Sequence, residues 1–167
     1  MTTMEQTTET IQVYRVYIRA TPEAIWTAIT DPDWTERFGY GGRGEYELRP
    51  GGAYRGWTNA EMRAHGAPDL GVDGEVIECD APRRLVQTWR MLMDEDMTAQ
   101  GFTRLTYDIE PGPGDVTKLT VTHDLTGAPR LAALMNGEFE DQGAGGGWAW
   151  VLSSLKTLLE TGESIRA

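Results

Sequence analysis

Trp148-Ala149-Trp150-Val151-Leu152-Ser153-Ser154-Leu155-Lys156-Thr157-Leu158-Leu159 is the stretch on which the fold turns. Trp148, Leu152, Leu155 and Leu159 recur at i, i+4, i+7 and i+11, and Val151 and Leu158 widen the stripe. That spacing places one broad apolar face along a helix. Gly162 is a natural C-terminal stop. About 15 residues of helix span roughly 22 Å, enough to cross a small sheet. A glycine run, Gly143 and Gly145 to Gly147, leads in and is expected to let the helix approach the sheet closely.

The surface that this helix covers lies upstream. Four strands are expected at Val72–Cys79, Arg84–Met91, Phe102–Ile109 and Val116–His123. The turns between them are Asp80 to Arg83, Asp94 to Gly101 and Glu110 to Asp115, the last containing Pro-Gly-Pro-Gly. Two shorter strands, Glu45–Leu48 and Ala53–Thr58, flank the turn Arg49-Pro50-Gly51-Gly52. Asn59 to Leu70 reads as a loop, and Thr126 to Phe139 as a connector with a helical turn over Leu131–Met135. Nearer the start, Ile11–Arg19 alternates as a strand. Thr21-Pro22-Glu23 then opens a helix to about Ile29, and Asp31-Pro32-Asp33 opens a second, ending near Phe38. Strand, two helices, six strands and a long helix make an α+β chain with its helices on one face of an antiparallel sheet.

Composition narrows the function. The 167 residues carry a formal net charge of −11, which opposes binding to phosphate backbones and to anionic membranes. No nucleic-acid or membrane partner is expected. Cys79 is the one cysteine, so no disulfide forms within the chain. Met1 to Thr10 is polar and does not read as a signal peptide. The expected location is the cytoplasm. His65, His123 and Cys79 have no metal-ligand spacing. No Gly-x-Ser-x-Gly elbow is present, and the glycine run lacks the lysine of a phosphate loop. Neither a metal nor a cofactor is expected.

Several motifs resemble the SRPBCC or START-like superfamily, in the branch related to the C-terminal domain of the activator of the Hsp90 ATPase. They are Thr21-Pro22-Glu23-Ala24-Ile25-Trp26, Asp31-Pro32-Asp33-Trp34, Arg49-Pro50-Gly51-Gly52-Ala53-Tyr54, Gly74 to Glu78, Pro82 to Leu85, Thr88-Trp89 and Gly147-Trp148 with Leu152-x-x-Leu155. The resemblance spans about Ile11 to Leu159. It implies a helix-grip fold, a curved antiparallel sheet wrapped around the long C-terminal helix with two short helices after the first strand. Residues 1–10 would be a flexible tail and 11–167 a single START-like ligand-binding domain. Members of the superfamily serve as lipid carriers, hormone receptors, polyketide cyclases and co-chaperones, so function does not follow from fold. The resemblance also makes a homodimer plausible.

Strand parity supplies the candidate site. The apolar face must meet the helix. That turns Leu85, Gln87, Trp89 and Met91, then Leu105, Tyr107 and Ile109, then Leu119, Val121 and His123 inward. Thr88, Arg90, Arg104 and Thr106 would face water. Gln87, Trp89, Met91, Leu105, Tyr107, Val121 and His123, with Trp148 and Leu152, are therefore the expected lining of a cavity for an apolar or aromatic small molecule. The competing reading is a filled core. Met135 and Phe139 are candidate lid residues, beside the acidic Glu138 and Glu140. His123 is the candidate catalytic group, an acid or base by its ordinary pKa, against a plainly structural role. Tyr54 and Trp57 have opposite parity, so only one should face the cavity unless a bulge intervenes. Three functions are in play: a small-molecule binder, a cyclase- or hydrolase-type enzyme using His123 and Tyr107, and a protein-interaction module, whose chaperone link is implied by the family resemblance only.

Overall fold

The computed structural model describes residues 10–165. The tail expected over 1–10 lies outside them apart from Thr10. β1 (Ile11–Ile18) leads into α1 (Pro22–Thr30), where the Thr21 hydroxyl accepts from the Ala24 N–H at 3.1 Å and Pro22 needs no partner in the first turn. Asp31 caps α2 (Pro32–Thr35) in the same way, accepting from Asp33 N–H at 2.9 Å. α2 stops earlier than expected, and the chain continues as turns past Phe38.

Six strands follow: β2 (Gly44–Tyr46), β3 (Ala53–Trp57), β4 (Leu70–Asp80), β5 (Arg84–Met91), β6 (Thr103–Pro111) and β7 (Thr117–Asp124). They join β1 in one seven-stranded sheet of order β1-β7-β6-β5-β4-β3-β2, with every neighbouring pair antiparallel. α1 and α2 thus carry the chain from one edge of the sheet to the other.

Two expected loops contain a helical turn. α3 (Ala60–Ala64) is capped by Asn59, whose Oδ1 accepts from Met62 N–H at 2.7 Å. α4 (Glu95–Ala99) is capped by Asp94, accepting from Met97 N–H at 3.0 Å. Five residues are too few for a periodic apolar pattern, so only the capping residue signals such a helix. α5 (Pro129–Met135) occupies the connector, and α6 (Trp148–Thr161) is the long helix, closed by Gly162 at φ +80°.

The glycine lead-in brings the chain close to something other than the sheet. A Cβ on Gly147, which sits at φ +68°, would lie 2.1 Å from the Met135 carbonyl oxygen. The glycine therefore seats the start of α6 against the end of α5.

Face assignments follow the parity in most places. Leu85, Gln87, Leu105, Ile109, Leu119, Val121 and His123 are buried, and Arg104 is exposed. Thr106 departs from it. It lies between Val86 and Thr122 in the register of the central strands, and is only 8% exposed although it was expected in water. The Val86 and Thr122 side chains flank it on that face. α6 makes its closest strand packing with β1 and also meets α1. The helix therefore lies over one side of the sheet, and the core there is solid.

Candidate functional site

Where β2 to β6 pass α6, the sheet and helix are not in full contact. A cavity of about 610 Å³ lies between them, within the range typical of small-molecule sites. The sheet contributes Tyr46, Tyr54, Trp57, Val72, Trp89, Met91 and Tyr107, and α6 contributes Trp148, Val151, Leu152 and Leu155. Met62 of α3, Met97 of α4, Leu134 and Met135 of α5, and Phe139 close the remaining sides.

Of the residues expected to line a cavity, the fold brings Trp89, Met91, Tyr107, Trp148 and Leu152 to its wall, together with Met135 and Phe139. Gln87, Leu105, Val121 and His123 do not reach it. The reason is lateral. Leu105, Val121 and His123 lie in register with one another or with their neighbours across β6 and β7, on the side where the core is filled. Gln87 lies behind Tyr46, whose hydroxyl donates to its Oε1. Parity reports which face a side chain takes. It does not report how far along the sheet the helix has moved away.

Tyr46, Met62, Val72, Met97, Leu134 and Val151 were not in the expected lining, and of Tyr54 and Trp57 only one was expected there without a bulge. Tyr54 and Trp57 both reach the cavity because the β3–β4 register shifts between Gly56 and Trp57; such a bulge cancels the parity difference. Val151 was legible in the helical stripe. Met62 and Met97 were hidden with their one-turn helices.

The charged groups of the wall are confined to its rim and are paired. Arg43 meets Asp33 at 3.2 Å and Glu36 at 2.9 Å, and Arg130 meets Asp94 at 3.3 Å and Asp96 at 3.4 Å. The polar interior consists mainly of phenols. Tyr46 and Tyr54 stack with centroids 4.5 Å apart. Burial pushes Tyr54 up to about 12, with the Trp89 indole N–H drawing it slightly back. Burial also raises Tyr107 far above the usual range, and Tyr54 adds to it. Burial likewise raises Tyr46, reinforced by both neighbouring phenols. All three are neutral O–H groups at any physiological pH.

His123 sits behind this wall, fully buried between two indoles. Its ring meets Trp89 edge-on at 5.5 Å and Trp148 at 5.9 Å. Trp148 Nε1–H donates to Nδ1 at 3.1 Å. Nε2 is 2.7 Å from the Thr103 hydroxyl, which itself donates to the Trp89 carbonyl at 2.9 Å. Since that hydroxyl proton is used, Nε2 carries the hydrogen and donates to Thr103. Burial lowers the histidine to about 3, with Asp124 pulling weakly upward. Both ring nitrogens are occupied and neither faces the cavity, so this geometry gives His123 a structural role and no access to a bound molecule. His65 ends α3 in the open. Among the described residues no group of three or more His, Cys, Asp or Glu side chains is placed to hold a metal, and no helix is long and apolar enough to cross a membrane.

The sheet and the helix packed on it have counterparts among solved structures. The Aha1 dimer from Colwellia psychrerythraea is 20% identical, with a TM-score of 0.66 over 93% of this chain and 99% of that one. An Hsp90 activator from Plasmodium falciparum is 19% identical, with a TM-score of 0.62 over 89% and 95%. DynU16, a protein in the dynemicin biosynthetic locus, is 22% identical with a TM-score of 0.62; the match covers 94% of this chain and 49% of DynU16. At these identities the likeness establishes the fold alone. No curated protein matches the sequence. The sequence profile of the activator of Hsp90 ATPase homolog 1-like proteins matches residues 19–160, and the chain, whose helix-grip architecture agrees with that match, belongs to this family.

Proposed function

We propose that this chain binds a neutral apolar or aromatic small molecule in the cavity between β2–β6 and α6. One observation carries the reading: about 610 Å³ of space is walled by aromatic, aliphatic and methionine side chains at the place where a filled core would otherwise be expected. The space opens to solvent on one side, so without a ligand its apolar walls face water, and a resident apolar ligand would cover them. The ion-paired rim and the neutral phenols favour an uncharged ligand, because nothing unpaired in the wall would compensate a buried charge. The location of DynU16 in a biosynthetic locus is compatible with a small-molecule role. The expected single domain over 11–167, a cytoplasmic location and a homodimer like that of the Colwellia protein belong to the same reading.

The test is a melting-shift screen of uncharged aromatic and aliphatic compounds. A ligand at 100 times its Kd adds about 2.7 kcal/mol of stability, a shift of several degrees. A broad screen without any shift, alongside capture of an Hsp90-type chaperone that a cavity-blocking substitution leaves intact, would favour the interaction-module reading that the family name suggests. Turnover of a bound compound would favour the enzyme reading, with His123 excluded from direct contact by its position.

A further inference from the structure

β1 lies at an edge of the sheet, and that edge is blocked at one end and open at the other. Backbone groups alternate sides along a strand, so residues two apart point to the same edge. The Thr10 carbonyl accepts from Leu125 N–H at 2.7 Å. Gln12, Tyr14 and Val16, opposite His123, Val121 and Leu119, therefore turn their backbone groups towards β7. Those of Ile11, Val13, Arg15 and Tyr17 point away from it. Two side chains of α6 cover the far end: Lys156 Nζ donates to the Tyr17 carbonyl at 2.6 Å, and Glu160 Oε2 accepts from Arg19 N–H at 2.9 Å. Among the described residues nothing hydrogen-bonds to the backbone of Ile11, Val13 or Arg15. Their side chains share the outer face, where Ile11 is 50% and Val13 44% exposed. Arg15 is exposed too and forms no ion pair among the described residues.

We propose that the open stretch Ile11–Arg15 pairs antiparallel with the same stretch of a second copy, joining the two sheets into one. This rests on the homodimer reading and gives it a surface; the chamber does not depend on it. Two-fold symmetry and the blocked end fix the register. An axis at Val13 sets Val13 opposite the partner's Val13 and Ile11 opposite the partner's Arg15, so all three open residues of each copy exchange their bonds. Moving the axis to Tyr14 would set Ile11 opposite the partner's Tyr17, whose carbonyl Lys156 already occupies. Moving it to Gln12 would carry Arg15 past the start of the partner's β1.

The charges suit a copy of this chain as the occupant. Ile11 would lie between the partner's Arg15 and its own neighbour on β7, Asp124. The Asp124 carboxylate accepts from Thr126 N–H at 3.1 Å. Arg104 stands opposite it on β6 without forming an ion pair. Positions two strands apart are about 10 Å from one another, a gap that an arginine and an aspartate side chain span together. Each copy's Arg15 would thus meet the other's Asp124 over Ile11, framing an apolar centre of two valines.

Sedimentation of the full chain from about 1 to about 500 µM reads the association, since a short edge interface is weak. The native chain is expected to dimerise. Val13→Pro removes an open N–H and no bond to β7, a place where an edge strand accepts proline. It should weaken the dimer at least about tenfold. Val13→Lys sets two like charges on the axis and should do the same, so either variant suffices if melting shows it folded. Phe102→Ser, at an exposed site away from β1, should leave the dimer intact. A native chain that stays monomeric overturns the interface and the homodimer together, and leaves the chamber standing. A dimer unchanged by both Val13 substitutions, or lost with Phe102→Ser alone, overturns the β1 surface while the homodimer stands.

Discussion

The indole Nε1–H of Trp148 points at Nδ1 of His123 across 3.1 Å. Trp148 has no acceptor to offer in exchange. A proton on Nδ1 would set two donors face to face inside the core, so the folded chain keeps the histidine neutral. Burial, the larger cause of the lowered value of about 3, acts in the same direction.

This makes stability depend on acid in a defined window. Below the ordinary histidine value of 6.5 the unfolded chain takes up a proton that the folded chain refuses, down to about 3. Stability therefore falls as pH drops, by about 1.4 kcal/mol per pH unit from this one group. Urea denaturation between pH 6 and pH 5 should approach that slope, and His123→Gln should flatten it. A native curve that is level across the window would contradict the neutral, buried histidine.

Thr103 holds the other side of the ring. Thr103→Val removes the acceptor for His123 Nε2–H and leaves that buried N–H unsatisfied. A loss of about 1–3 kcal/mol is expected, read as a lower urea midpoint at unchanged slope. A loss within error would show that the contact drawn here does not form.

The phenols separate by the same logic. Tyr46→Phe breaks a bond to the fully buried Gln87 and should cost about 1–2 kcal/mol. Tyr107→Phe removes a hydroxyl without a protein acceptor and should leave the melting temperature level or slightly higher. Thermal melts of the two variants side by side decide it. A larger loss for Tyr107→Phe would mean that its hydroxyl has a partner in the fold.

Much of this arrangement was legible in the residues. The helix of Trp148 to Leu159, the caps at Thr21 and Asp31, the strand meander and the inward turn of Trp89, Tyr107 and His123 all follow from periodicity and capping chemistry. What escaped was set by tertiary placement. His123 and Trp89 share a face, yet α6 presses on the β1 side of the sheet and leaves the other side open. One histidine is thereby sealed and one indole lines a wall. Nothing local to either strand encodes that offset. The bulge at Gly56/Trp57 and the single turns holding Met62 and Met97 are similarly short-range departures from a period.

Val151 lines the cavity from α6. Val151→Phe adds volume where space exists, so the fold should survive with a change below about 1 kcal/mol, less than overpacking a solid core costs. Binding of any chamber ligand should fall by at least about tenfold. Melting and probe titration of the same sample check both halves.

The most direct measurement is a nuclear magnetic resonance titration of the labelled chain with an uncharged naphthyl ketone dye. The resonances of Trp89, Tyr107, Val151 and Leu152 should move saturably with one dye per chain, while Ile11, Val13 and Tyr17 on the exposed face of β1 stay still. Movement confined to that outer face, or no movement in the four cavity residues with dye in excess, would contradict a ligand chamber between the sheet and its last helix.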